Sequence, residues 1–196
     1  MKKLLTFTIL FTINILNAQE LSYGVVLGNS FYAIANNNGS NTMEMEDSSI
    51  FIIGGYGEYN FTENIGIKTD ILYAKNSFFY YPNRQPFEMN VVSCAPNFKY
   101  DFGEEYRKGF YLLVGPKLSF VTSVESEGED VKDSFETLNF GAQIGFGYRV
   151  LKFIDLQTKL EYDISPFFKL ENGKKSNFFG AVVSANIDLA KLFSNE

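Results

Sequence analysis

From Leu21 onward, hydrophobic and polar residues alternate with a period of two, and the pattern recurs eight times. Ile154, Leu156, Thr158, Leu160, Tyr162 and Ile164 share one parity, against Asp155, Gln157, Lys159, Glu161 and Asp163. Successive side chains of a strand point to opposite faces, so such a stretch predicts a strand that is greasy on one side and charged on the other. The alternation predicts strands at Leu21–Ala33, Ile50–Phe61, Ile65–Lys75, Met89–Phe102, Phe110–Val121, Leu138–Val150, Ile154–Ile164 and Phe178–Leu189. No 3.6-residue period competes with it. Beyond the first residues no apolar run is long enough for a membrane-spanning helix.

The links between these strands are unequal. Asn36–Ser49, Asn76–Glu88, Thr122–Thr137 and Ser165–Asn177 are long, whereas Thr62–Asn64, Gly103–Gly109 and Leu151–Phe153 are short or medium. Long and short links in turn describe an up-and-down meander with one elaborated rim. Pro96 and Pro116 fall inside strands four and five. Proline removes a ladder donor, so a bulge or a local break is expected there.

Which face is inside follows from volume. The apolar parity supplies about four or five bulky residues per strand, while an eight-stranded barrel is only just wide enough inside for its side chains. The other parity holds small and charged residues together, including Gly66, Gly115, Gly141, Gly145, Gly147 and Gly180. That set suits a narrow polar interior, so the apolar face points outward. A soluble sandwich or lipocalin-like barrel, apolar face inward, fails on core volume and on its run of surface glycines. An outward apolar band asks for lipid, and in hydrocarbon a sheet must close on itself to pair every backbone group. The expected fold is therefore all-β: an eight-stranded antiparallel up-and-down transmembrane β-barrel. Tyr59, Phe61, Tyr73, Phe98, Tyr100, Phe110, Phe120, Tyr148 and Tyr162 would form its interfacial girdles.

Composition adds an address. Lys2 and Lys3 precede an apolar segment, Leu4–Leu16, and Asn17-Ala18 offers a small residue before a cut. Residues 1–18 thus read as a signal peptide and 19–196 as one barrel domain, exported to the outer membrane. The formal charge is −6, and −8 without the two lysines, a poor balance for binding nucleic acid. The chain has one cysteine, Cys94, which cannot form an internal disulfide.

Candidate chemistry is sparse. The chain has no histidine, which rules out Ser-His-Asp and Cys-His nucleophile pairs and any His-bearing zinc site. Gly145–Val150, GFGYRV, lies in a strand and is no phosphate loop. The inward parity collects Glu58, Lys68, Asp70, Lys99, Lys117, Arg149, Asp155, Lys159, Glu161, Asp163 and Asp188. Opposite charges in near-equal number in a narrow barrel read as an ion-pair network filling the interior rather than as acid–base catalysts or a conducting path. The third long link clusters Glu125, Glu127, Glu129, Asp130, Asp133 and Glu136, without EF-hand spacing, and reads as a solvated loop. Phe78, Phe79, Tyr80 and Tyr81, expected on the second long loop, would extend the outer girdle or touch a partner. No catalytic residue, cofactor or metal is expected.

SYGVVLGNSF near the mature start, GGYGEYNFTENIGIKTDILYAKNS across strands two and three, FYLLVGPKLSF and LNFGAQIGFGYRV recur in this order along the mature chain. On these segments the chain resembles the PorT-like outer-membrane β-barrel proteins of Gram-negative bacteria. The resemblance implies an eight-stranded barrel with periplasmic termini, and the family's namesake is linked to protein secretion. The expected role is a monomeric structural or interaction component of the cell envelope. It would meet outer-membrane lipid, lipopolysaccharide and the barrel-insertion machinery. The rival roles are an accessory of a secretion complex, a small pore, or an enzyme acting on lipid or peptide.

Overall fold

A computed structural model describes residues 21–36, 43–45, 50–80, 85–103, 109–167 and 176–193. The expected signal peptide, residues 1–18, lies outside them. The strands are β1 (Leu21–Asn36), β2 (Met43–Met45), β3 (Ile50–Asn60), β4 (Ile65–Tyr80), β5 (Gln85–Asp101), β6 (Phe110–Ser126), β7 (Glu129–Asp130), β8 (Leu138–Leu151), β9 (Ile154–Asp163) and β10 (Ser176–Asp188). β1, β3, β4, β5, β6, β8, β9 and β10 are the staves of a closed antiparallel barrel, each hydrogen-bonded to the next. β2 continues the line of β3 along the far end of β4, and β7 folds back on β6.

Closure is made by the two ends of the described chain. β1 and β10 run antiparallel from Gly24 opposite Asp188 to Asn36 opposite Ser176. Glycine is needed at this seam because the strands approach closely. A Cβ at Gly24 would stand 1.9 Å from the Ile187 carbonyl oxygen, and one at Gly28 would stand 2.3 Å from that of Val183.

The parity assignment carries through every stave. Ile67, Ile71, Tyr73, Phe98, Ile144, Phe146, Leu156 and Leu160 are exposed on the outer wall, while Lys68, Asp70, Lys99, Gln143, Gln157 and Lys159 are buried inside. Between the rims, the described outward positions hold no charged side chain. At the short-turn rim, outward rings pair across the wall: Tyr59 with Phe61 at 5.3 Å, Tyr100 with Phe102 at 5.0 Å and Phe110 with Tyr148 at 4.6 Å. Amphipathic rings favour the water–lipid boundary, so these pairs mark its position.

Two irregularities fall on the β5–β6 seam. Cys94 pairs with Leu118 and Phe98 with Val114, and no ladder pair lies between them. That register sets Pro96 and Pro116 directly opposite each other, two residues without N–H groups, and the expected local break is there with no register shift. Further along, Asn90 meets Ser123 whereas Val91 meets Val121. Thr122 is the extra residue of a bulge, and beyond it the inward parity moves to Val124 and Ser126.

The structure corrects the expected link Asn76–Glu88. β4 continues to Tyr80 and β5 begins at Gln85, so most of that segment is a paired hairpin. Alternation simply runs on: Asn76 and Phe78 point inward, Lys75 and Ser77 outward. The acidic link is also partly ordered. Glu127 and Gly128 have φ of 52° and 85°, the signature of a two-residue turn that reverses β6 into β7. A 3-10 turn at Lys132–Ser134 then carries Phe135 back into the barrel, where it is buried.

Gly28→Val should force the closing seam apart. Overpacking costs about 1–3 kcal/mol, and urea unfolding of the refolded protein in lipid vesicles should show a loss in that range. Gly57→Ala is the control: a Cβ there meets nothing within 4 Å, so the unfolding midpoint should stay with the parent's.

Candidate functional site in the barrel interior

The interior is built from inward positions of all eight staves, and its polar groups fall into three clusters. Nearest the short-turn rim, Lys99 Nζ donates to Glu58 Oε1 at 2.9 Å and to both Asp101 oxygens at 2.8 Å. Beside it Arg149 is paired with Asp155, Nη2 donating to Oδ2 at 2.8 Å, and lies 3.9 Å from Asp188 Oδ2. Ser22 Oγ donates to the same Asp188 oxygen at 3.0 Å, which ties the start of β1 to the end of β10.

The middle cluster is centred on Gln157. Its Oε1 accepts from Lys68 Nζ at 2.7 Å, Asn186 Nδ2 at 3.0 Å and Tyr111 OH at 3.2 Å. Lys159 Nζ donates to Asp70 Oδ2 at 3.1 Å. Two tyrosines cover the lysines. Lys68 Nζ stands 4.4 Å from the Tyr56 ring centroid and Lys99 Nζ 4.7 Å from that of Tyr111, both within cation–π range.

The third cluster lies toward the long-loop rim. Lys117 Nζ donates to Glu161 Oε2 at 2.6 Å and lies 3.6 Å from Asp163 Oδ1, while Tyr32 OH donates to Glu161 Oε2 at 2.8 Å. The large inward tyrosines fit because small neighbours face them: Tyr111 lies opposite Gly147 and Tyr32 opposite Gly180. A Cβ at either glycine would strike the facing ring, at 2.1 Å and 2.2 Å respectively.

Above the charges sits a different material. Phe78, Met89, Val91, Val121, Val124, Phe135, Phe167 and Phe178 form one buried apolar cluster across the long-loop end. Phe135 and Phe167 reach it from the links after β7 and β9, and the backbone N–H of Glu136 donates to the Phe167 carbonyl, joining those links. Phe78 was expected on an exposed loop. It is fully buried here because β4 runs past the rim and turns this position inward, stacked on Phe87 at 5.4 Å. Phe79 is half-buried on the outer side, and the Tyr80 side chain and Tyr81 lie outside the described residues.

The eleven charged residues expected inside are all turned inward, and the structure distributes them over the three clusters. Asp101 belongs with them and was missed, although it continues the parity of Lys99. Tyr56 and Tyr111 share the inward parity of Glu58 and Lys117 and are buried with them, whereas Tyr32 and the whole apolar cap were missed. Asp101 widens the acidic excess from one to two: among the described inward residues, seven carboxylates (Glu58, Asp70, Asp101, Asp155, Glu161, Asp163, Asp188) face five cations (Lys68, Lys99, Lys117, Arg149, Lys159).

Outside the wall, Lys75 Nζ lies 2.9 Å from Glu88 Oε2, both half exposed, above the uncharged band. The hydrogen bond to Glu88 holds the Lys75 ammonium above the usual lysine range. Glu125, Glu127, Glu129, Asp130 and Asp133 are exposed on and after the β6–β7 hairpin at the same rim. No group of three acidic, histidine or cysteine side chains suited to a metal ion is assembled among the described residues.

Residues 17–169 match the model of a family described as outer membrane protein beta-barrel domain. In structure the chain is similar to Neisserial surface protein A, with a TM-score of 0.60 and 15% identity, over 87% of this chain and 100% of that one. It is also similar to Ail, the attachment invasion locus protein of Yersinia pestis, with a TM-score of 0.54 and 12% identity, over 87% and 100%. Identities this low speak for the fold alone. No curated protein matches the chain by sequence.

Lys99→Met would leave Glu58 and Asp101 buried without their cation. Breaking one side of a buried pair costs about 3–5 kcal/mol. Urea unfolding in vesicles should show a loss of that size, partly recovered by adding Glu58→Gln and Asp101→Asn. Lys75→Ala, on the wet outer rim, should leave the midpoint near the parent's, as exposed pairs do.

Proposed function

This chain belongs to the outer membrane protein beta-barrel domain family, and on that premise we propose that it is a non-conducting, non-enzymatic structural or interaction component of the outer membrane. The observation that carries this reading is the filled interior. Buried ion pairs occupy the short-turn half, and an apolar cap of Phe78, Phe135, Phe167 and Phe178 with their neighbours crosses the long-loop half. A pore needs a wetted path, and both halves oppose one: the charges are tied to one another and the cap is greasy. A catalyst needs a reactive group free to meet substrate, whereas the carboxylates here share their space with lysines and tyrosines.

The outer wall sets the partners. Its uncharged band is covered by acyl chains, and the half-exposed Lys75–Glu88 pair stands in the headgroup layer or above it. In this reading the short turns and both chain ends face the periplasm, after export through the signal peptide and delivery by the barrel-insertion machinery. The long-loop rim faces outward and meets lipopolysaccharide. Its hairpin is acidic, so it repels nucleic acid and sulfated polyanions such as the sucrose octasulfate held in one Ail structure. The barrel acts as a monomer. Within the family we place it with the PorT-like proteins, on the ordered segments from SYGVVLGNSF to LNFGAQIGFGYRV.

Fractionation of expressing cells should recover the protein in outer membranes, with a gel mobility that shifts on heating. Recovery in the soluble periplasm without that shift would defeat the assignment. In planar bilayers the purified barrel should give no conductance steps. Mild extraction should release a monomer, whereas stable co-purification with secretion proteins would favour the accessory role instead.

A further inference from the structure

After β10 the chain passes straight into one helical turn, α1 (Leu189–Leu192), followed by Phe193. We propose that this turn lies in the membrane interface at the short-turn rim and docks there on anionic phospholipid headgroups, an inference that rests on the reading of the outer wall as lipid-covered.

A helix this short has no stability of its own. Its nucleus fixes several residues for one hydrogen bond, and isolated helices below about 12–15 residues are marginal in water. The barrel holds its start. Asp188 Oδ1 accepts from the Lys191 N–H at 3.0 Å, and the Asp188 N–H donates to the Phe153 carbonyl at 2.9 Å. The Phe193 N–H closes the turn on the Leu189 carbonyl at 3.1 Å. Yet none of the helical residues is buried. Leu192 is 46% exposed and Phe193 74%, more than any other large apolar side chain described. The turn is pinned at its start and greasy at its end, and the described barrel does not bury that end.

Its surroundings name the cover. Phe153, whose carbonyl holds Asp188, belongs to the turn between β8 and β9, where Val150 and Leu151 are half exposed as well. Next outward along β8 is Tyr148, whose ring pairs with Phe110 at the water–lipid boundary. Apolar surface thus continues from the lipid-facing wall, past the boundary rings, onto this turn and α1. Two exposed cations stand in it, Lys152 and Lys191. Residues 151–153 and 189–193 hold no carboxylate, and Glu196, the next acid along the chain, lies outside the described residues. Lysines beside exposed leucine and phenylalanine suit an interfacial segment: the apolar groups enter the acyl boundary while the ammoniums stay at the phosphates. A stable protein partner would need about 800 Å² of this surface, far more than one helical turn and a three-residue link present, so lipid is the better cover.

The chain has no tryptophan, so one introduced indole is a clean reporter. Phe193→Trp is compared with Phe146→Trp, on the exposed outer wall, each in the refolded full-length barrel. The vesicles contain phosphatidylcholine and phosphatidylglycerol, with bromines on one of the two lipids, near the headgroup end or near the methyl end of its chains. The Phe193→Trp indole should emit to the blue of one in water and be quenched most by bromines near the headgroup end. At low salt it should sense brominated phosphatidylglycerol as enriched about fivefold, the ratio that about 1 kcal/mol for one lysine gives. Lys152→Gln with Lys191→Gln should remove that preference. Leu192→Trp serves as reporter if the first variant does not refold. Emission as in water from Phe193→Trp, with Phe146→Trp quenched, would overturn the proposal and leave the barrel reading standing. Equal quenching by the two lipids would also overturn it, since headgroup charge would then play no part. So would a blue-shifted indole that bromines cannot reach, the sign of cover by a second copy of the barrel. Absence of quenching in Phe146→Trp would instead remove the lipid-covered wall, and this docking with it.

Discussion

Hydrocarbon offers no partner to a peptide N–H or C=O, so a sheet that lives in lipid has to meet itself. In this chain the meeting is the antiparallel ladder between β1 and β10, and the other features of the barrel are arranged around making it possible. Eight staves give a tube so narrow that its strands curve sharply. Glycines stand where that curvature would drive a Cβ into the neighbouring carbonyl, at Gly24 and Gly28 on the seam itself. The same narrowness fills the interior with small residues, tyrosines laid over glycines, extended lysines and a limited set of aliphatic side chains such as Val26, Ile52, Leu72 and Val182, and sends most of the bulky apolar residues outside.

The interior then has to solve a second problem, the burial of charge. Ionic groups taken out of water are costly unless each finds opposite charge and hydrogen bonds. Lys99 meets two carboxylates, Lys68 and Lys159 flank Asp70, and Arg149 bridges Asp155 and Asp188. Lysine ammoniums also rest on tyrosine faces, which supply attraction without adding charge. The apolar cap seals the opposite end by another means, with side chains that need no partners at all. The barrel is thus polar toward one membrane face and greasy toward the other.

Much of this was legible because period-two alternation reports directly on which side of a sheet a residue occupies. Lys68 and Asp70 between Ile67 and Ile71 announce an interior position once core volume shows that the aliphatic side faces lipid. Pro96 and Pro116 announced their break in the same way, through chemistry local to the residue. What stayed hidden depends on register and on links. Phe78 looks like a loop aromatic until β4 is known to continue past the rim. Phe135 and Phe167 lie in segments without periodicity, and only the fold shows that both turn back into the tube. Thr122 shifts the inward parity by one, and a single strand read alone holds no sign of it. Asp101, two residues from Lys99 on the same parity, is legible by the same alternation.

The hydrogen bond from Ser22 to Asp188 joins residues 166 positions apart. Contacts of such sequence separation form late, since the loop they close must first give up its entropy. Before that moment the sheet is an open ribbon, and its charged face has water on it. Closure therefore wraps the lysines and carboxylates and drains them in one event, after the last strand has arrived. Chain order becomes a clock: the polar network is complete only once β10 has docked on β1, and until then the barrel stays wet and unfinished.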